Sequence, residues 1–213
     1  MSLSSLEDAL EHLASVRPQT AARTCPLSQA AGARLAAPVI AKVSRPPAAV
    51  SAMDGYGVRL ADLGKPGAIL TVIGEVPAGR PFAGRVGPGE AVRIFTGGEI
   101  PDGADHVVIQ EKVTREGDRV TCHEGYGEAQ YIRPAGMDFA EGDTVIAAGT
   151  RIGAFELAMA AAANHDRLHV HCAPRVAILA NGDELKPPGS ALAPGEIVNS
   201  NPPGLAALVR AWG

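Results

Sequence analysis

Aromatic side chains are scarce: four Phe, three Tyr and one Trp occur among 213 residues. Apolar cores must therefore rest on Val, Ile, Leu and Ala. Cysteine is nearly absent too. Cys25, Cys122 and Cys172 are odd in number, widely spaced and without a Cys-x-x-Cys pair, which fits reduced thiols in a cytoplasmic protein. No apolar run reaches membrane-spanning length, and no basic-then-apolar stretch opens the sequence, so no membrane segment is expected. Neither sign of charge dominates, with 19 basic and 23 acidic residues and a formal net charge of -4. No stretch is basic enough for a nucleic-acid footprint, and no nucleic-acid partner is expected.

Glycine and proline, by contrast, number 25 and 17, a loop-rich and β-rich but globular composition. At the start, Glu7 follows Ser4 at capping-box spacing, and Leu6, Leu10 and Leu13 share one helical face. This predicts a helix from Ser4 to about Val16, ended by Pro18. A second short helix is predicted from Ser28 to Ala33, then an extended segment from Pro38 to Val43. Short Val- and Ile-rich runs follow at Ile69 to Ile73, Glu90 to Ile94, Asp105 to Ile109 and Arg119 to Thr121. Turn signals at 87–89 and 101–103 and a hairpin tip at 114–118 separate them, reading as a compact β barrel or sandwich. Ala154 to Ala163 predicts a helix with Asn164 as a left-handed cap, and Leu168 to Cys172 a strand. His169 and His171 share a face of that strand, but no third ligand sits at a metal-site spacing.

After Pro174 the run Arg175 to Ala180 reads as a buried parallel strand, and a helix is predicted from about Gly204 to Trp212. One strand and one helix cannot cover a sheet on both faces, so residues 174–213 read as the incomplete start of an α/β domain. The fold class expected is α+β and multi-domain. Residues 1–45 with 142–173 form a thin, discontinuous helical-plus-strand domain, and residues 46–141 an inserted β-barrel-like domain.

Several stretches could carry chemistry. Ser51-Ala52-Met53-Asp54-Gly55-Tyr56 sets a carboxylate beside a glycine, between bulky residues, after the stiff Arg45-Pro46-Pro47. It is either a carboxylate presented in a cleft or an Asp-Gly turn between strands. Arg93-Ile94-Phe95-Thr96-Gly97-Gly98 delivers a hydroxyl into a glycine loop, which is either an anion-binding loop or a tight turn. Arg133 is suited to grip phosphate or carboxylate, and Asp138 to bind metal, cap a turn or pair with Arg133. Asn181-Gly182-Asp183-Glu184 follows the Arg175 run, where α/β folds place ligand-binding groups. No Gly-x-Gly-x-x-Gly follows it, which weighs against an unrelated nucleotide-binding α/β protein.

Together these residues resemble the molybdopterin molybdenumtransferase family, the molybdenum-insertion enzymes related to the gephyrin E domain. The resemblance is carried by residues 51–56, by Phe95-Thr96-Gly97 with Pro101-Asp102-Gly103-Ala104-Asp105 and Gln110-Glu111, by Arg133, Gly136 and Asp138, by Gly182-Asp183-Glu184-Leu185, and by Asn199-Ser200-Asn201. It covers the family's first two domains and the opening of its third, a molybdopterin-binding α/β domain. The chain departs from the usual pattern at Ala48-Ala49-Val50, Met137 and Asn181.

The resemblance implies a cytoplasmic, homodimeric transferase of molybdenum cofactor biosynthesis. Such an enzyme takes adenylylated molybdopterin and molybdate, uses Mg²⁺, and releases AMP. Its cleft lies between the β domain of one subunit and the α/β domain of the other, and a molybdopterin-adenylylating protein acts upstream. Carried over residue by residue, the expected catalytic residues are Asp54, Thr96, Asp138 and Glu184, with Gly97, Arg133, Gly182 and Asp183 binding substrate and Asp54 and Glu184 holding the metal. A non-catalytic scaffold of the same lineage is the alternative. The 213 residues alone are not expected to complete the reaction.

Overall fold

The computed structural model describes residues 5–16, 20–123 and 131–212. The first part of the chain gives helix α1 (Leu6–Ser15) and strands β1 (Ala22–Pro26), β2 (Val39–Ile40), β3 (Val50–Ser51) and β4 (Gly55–Val58). Strands β5 (Ala68–Val76), β6 (Glu90–Ile94), β7 (His106–Ile109), β8 (Val113–Glu116) and β9 (Arg119–Cys122) follow. The chain continues through β10 (Ile132–Arg133), β11 (Thr144–Ile146), α2 (Ala154–Ala162), β12 (Arg167–His171), β13 (Leu185–Lys186), β14 (Ile197–Val198) and α3 (Asn201–Trp212). It is a mixed α and β structure that divides into two compact units. None of the described helices is long and apolar enough to cross a membrane.

The second unit, Ile40–Val145 with Ala162–Asn164, is built on a six-stranded sheet of order β7-β4-β6-β5-β9-β8. β5 runs parallel to β6, and the other neighbouring pairs are antiparallel. The side-chain period of two sends alternate residues to opposite faces. On β6, Ala91 joins a cluster with Tyr56, Val58, Leu70 and Val120, whereas Val92 and Ile94 join Val76, Val86 and Val107. Both faces are thus apolar, which explains why β4 is buried along its whole length. Each fully buried Val or Leu contributes about 1.5–3 kcal/mol. Aliphatic residues supply nearly all of this core, as the shortage of aromatics requires. The sheet is open between its ends β7 and β8 among the described residues, not closed as a barrel would be. A shift in register between Val72 and Gly74 lets one long strand serve both clusters.

In the first unit, β1 pairs antiparallel with β12, matching Cys25 to Leu168, both buried. His169 and His171 turn outward, and their Nδ1 atoms meet the hydroxyls of Thr24 at 3.3 Å and Thr20 at 3.2 Å. α2 ends close to the expected place, with Asn164 at φ 65.

Three local expectations fail, each for a physical reason. The N-cap of α1 is Ser5, not Ser4, which lies outside the described residues. The Ser5 hydroxyl accepts from Asp8 N, and the Asp8 carboxylate accepts from Ser5 N. A box shifted by one residue satisfies the same two donors. The helix expected at Ser28 to Ala33 is a single 3-10 turn, Leu27–Gln29, capped at Ala30, and Gly32 at φ 81 keeps helical backbone from reaching Ala33. The strand expected at Arg175 to Ala180 forms no ladder, and Val176 and Leu179 are exposed. A strand needs an edge to pair with, and none of the described residues offers one there. Instead β13 and β14 make a short parallel pair, and α3 starts at Asn201, ahead of Gly204.

Cys25, Cys122 and Cys172 form no disulfide. Burial pushes the Cys122 thiol up to about 11.

Candidate active site

Ser51 is the hub of the site. Its side chain is buried, donating from Oγ to Met53 O at 2.6 Å and accepting from Met53 N at 3.3 Å. Its backbone donates to Gly98 O at 2.8 Å and accepts from Gly97 N at 2.9 Å. These bonds clamp residues 51–54 against the glycine loop that follows β6. Gly97 takes φ 81, which a side chain would strain. β10 runs along the other side of β3, pairing Ile132 with Ser51 and Arg133 with Val50.

This scaffold joins two residues that lie far apart in sequence. Asp54 Oδ1 accepts from Thr96 N and from Thr96 Oγ1, both at 2.8 Å. The backbone bond from Thr96, then its hydroxyl bond, hold the Asp54 carboxyl below its usual 3.8 against a smaller opposing push from desolvation, and the Arg93 guanidinium adds the least. None of the described residues donates to Oδ2. Asp54 is therefore an ionised, fixed carboxylate with one oxygen open. It is not a hairpin turn, because β3 pairs with β10 while β4 pairs with β6 and β7.

The sign of the linkage is set by the lowered value. The Asp54–Thr96 tie contributes stability above the unfolded value near 3.8 and loses it as pH falls through the lower folded one. Thr96→Val removes the hydroxyl donor and keeps the backbone bond, so the Asp54 pKa is expected to rise only part of the way to 3.8. A carboxyl carbon NMR titration checks this, and an unmoved value would mean the hydroxyl does not contribute.

Arg133 and Asp138 form the second half of the site in the same unit. Arg133 Nη2 lies 2.5 Å from Asp138 Oδ1, and Arg45 Nε lies 3.6 Å from Oδ2. One carboxylate thus holds two guanidiniums. The pairing alternative for Asp138 is the one observed, and both its oxygens are engaged. The pair lines a cleft of about 350 Å³ with Arg45, Arg80, Gly97 and Glu99. Ala48 and Val50 also form its wall, so two of the departures from the usual pattern fall on the cleft itself.

Sequence reasoning missed Arg93. Its Nη1 donates to Gly55 O at 3.1 Å and its Nη2 to Gln110 Oε1 at 2.6 Å. The guanidinium lies 5.2 Å from the Tyr56 ring centroid and 4.8 Å from that of Phe95. Gln110 N in turn donates to Asp54 O at 3.1 Å. The signal was an arginine inside an otherwise apolar strand, Ala91-Val92-Arg93-Ile94.

Gly182, Asp183 and Glu184 belong to the first unit. Leu185 N donates to Gly182 O at 3.2 Å, and Glu184 O accepts from Ile197 N at 2.9 Å, which anchors the turn to β14. The Glu184 carboxylate folds over Gly182, where an added Cβ would meet Oε2 at 2.4 Å. No group of three or more His, Cys, Asp or Glu among the described residues could enclose a metal. Mg²⁺ does not require such a cage, since it takes one or two carboxylates with phosphate oxygens and water. The open oxygen of Asp54 suits that mode.

The profile of the family described as MoeA N-terminal region (domain I and II) matches residues 4–164. The chain is similar to the molybdopterin molybdenumtransferase of Nostoc sp., with 39% identity over 183 residues, 84% of this chain and 42% of that protein. It is similar to molybdopterin molybdenumtransferase 2 of Mycobacterium tuberculosis, with 38% identity over 191 residues, 88% of this chain and 47% of that protein. Among solved structures, the molybdopterin biosynthesis moeA protein of Pyrococcus horikoshii OT3 aligns with a TM-score of 0.90 at 32% identity, over 98% of this chain and 57% of that one. The chain thus spans less than half the length of these curated relatives.

Proposed function

This chain belongs to the MoeA N-terminal region family, and on that premise we propose that it is part of a molybdopterin molybdenumtransferase of molybdenum cofactor biosynthesis. The proposed reaction inserts molybdate into adenylylated molybdopterin and releases AMP. The observation that carries this reading is the Asp54 carboxylate, fixed through Oδ1 by Thr96, with no donor to Oδ2 among the described residues. It belongs to the same scaffold as the Gly97 loop and the Arg133–Asp138 pair.

In this reading Asp54 and Glu184, contributed by different subunits across the cleft of a homodimer, would hold a Mg²⁺ ion, which would supply positive charge to the phosphate oxygens of the anhydride. The remaining work falls to the chain. The Thr96 bonds keep Asp54 ionised and aimed. The Gly97 loop and Arg133 hold anionic oxygens, with Asp138 setting the plane of the Arg133 guanidinium. Gly182 and Asp183 contact substrate from the α/β segment, which residues 174–213 begin. A molybdopterin-adenylylating protein supplies the substrate. The test is AMP release from adenylylated molybdopterin with molybdate and Mg²⁺, using protein carrying the full length of its relatives and the 213-residue chain as an inactive control. Binding without AMP release by the longer protein would replace the enzyme with a scaffold.

A homodimer completes the proposal. Leu6, Leu10 and Leu13 on α1 are 69%, 56% and 63% exposed, and Phe155 on α2 is 88% exposed. Such apolar faces call for cover. Sedimentation at about 50 µM, well above the Kd range of a stable dimer, is expected to show a dimer; a monomer alone at that concentration would contradict it.

A further inference from the structure

The first unit holds a second cleft, of about 570 Å³, whose wall includes Arg23, Arg34, Arg151, Arg210, His171 and Trp212. No carboxylate lines it among the described residues, although the chain as a whole is acidic. None of the four arginines is ion-paired among the described residues. This contrasts with the cleft of the second unit, where Asp138 engages both Arg45 and Arg133.

The backbone shows that the basic groups are gathered by register. Arg34 and Arg151 are direct antiparallel bridge partners. His171 N donates to Arg34 O at 2.8 Å. Leu35 bridges Val170, and both are buried, so alternation sends Arg34, Arg151 and His171 to the opposite face, side by side. Like charges directly opposite each other on paired strands repel. An anion placed between them reverses the sign of that interaction. Guanidinium forks match phosphate oxygens two at a time, which a lysine cannot do. Trp212 on the same wall is 74% exposed and offers a flat aromatic face.

We propose that this cleft binds a multiply charged phosphate group, held between Arg34 and Arg151 with Arg23 and Arg210 at its margin. The proposal does not depend on the Asp54 site, because its residues belong to the other unit. Two sources share this chemistry: an inorganic polyphosphate, and a nucleotide whose base stacks on Trp212.

The experiment titrates the 213-residue chain with pyrophosphate, adenosine diphosphate and adenosine. It follows heat, arginine Nε–H resonances and the fluorescence of Trp212, the single tryptophan. Both phosphates are expected to bind below about 1 mM and to weaken with salt. The Arg34→Gln/Arg151→Gln double variant is expected to lose at least about tenfold in affinity, while Arg119→Gln binds like the parent. Arg34 Nη1 also donates to Gly149 O at 3.1 Å, so the stability test uses Arg151: because the two guanidiniums repel, single Arg151→Gln should melt no lower than the parent while binding more weakly, which loss of a merely structural arginine would not produce. Tighter binding of adenosine diphosphate with quenching of Trp212 assigns the cleft to a nucleotide. Equal binding with no quenching assigns it to phosphate alone. The proposal is overturned if neither phosphate binds at about 1 mM, if the double variant binds like the parent, or if the shifted arginines are Arg45, Arg80 and Arg133.

Discussion

Asp54→Asn is expected to lower turnover on the order of 100-fold or more in protein carrying the full length of its relatives, with substrate binding little changed and the unfolding midpoint lowered somewhat, since a neutral group ties less firmly to Thr96 than the ionised carboxylate. The substitution keeps size and shape. An amide oxygen at position 54 still accepts from Thr96, whose N and Oγ1 both donate to Oδ1 at 2.8 Å, so the loop after β6 has no reason to move. What disappears is the full negative charge at Oδ2, where no described residue donates. A charge of this kind matters most when it meets a cation or charge that develops during reaction. The effect should therefore fall on kcat and not on KM. Turnover of Asp54→Asn equal to that of the parent would make Asp54 a structural anchor for Thr96 and nothing more.

Gly55→Ala is expected to destabilise the chain by about 3 kcal/mol or more. A Cβ at this position would lie 2.1 Å from Val108 O and 2.9 Å from Val108 C. Both are backbone atoms of the adjacent strand β7, so no rotamer change relieves the overlap. β4 is paired on both sides, with β6 and with β7, and must shift as a whole or lose its ladder. For a chain of this size the loss corresponds to a fall in Tm of about 6–12 °C. Gly64→Ala is the control, since nothing lies within 4 Å of its added Cβ, and it is expected to leave Tm unchanged or slightly raised. A Gly55→Ala midpoint matching that of Gly64→Ala would show that β7 yields freely at Val108.

These results bear on how much was legible from residues alone. The strands at Glu90 to Ile94 and Arg119 to Thr121 could be read because their apolar residues lie between clear turn signals. Asp54 and Thr96 were each visible as candidates, but their bond spans 42 positions. It depends on Ser51 meeting Gly97 and Gly98, which no local pattern encodes. Arg93 was overlooked because a period-two reading treats a charge inside an apolar strand as an outward residue, whereas tertiary packing gives it two aromatic rings and a backbone carbonyl. The strand expected at Arg175 to Ala180 has the right composition. Composition makes a strand only where a partner edge exists, and the capping motif at the start slipped by one residue because Ser4 and Ser5 are chemically alike.

The interleaving of the two units has a consequence for how the chain acquires its structure as it leaves the ribosome. The six-stranded sheet of the second unit is drawn from one continuous stretch, Gly55 to Cys122. Its pairings join residues at most 54 positions apart, and it can condense while later residues are still being made. The first unit has no such freedom. β1 must wait for β12, whose Thr24–His169 contact spans 145 residues. Closing so long a loop costs less entropy once the intervening segment is already compact, because the effective loop is then shorter. Synthesis order thus imposes an assembly order in which the inserted sheet precedes the β1–β12 pair. A lesion in the sheet, such as the one at Gly55, would then leave β1 exposed during translation as an unpaired edge open to other chains.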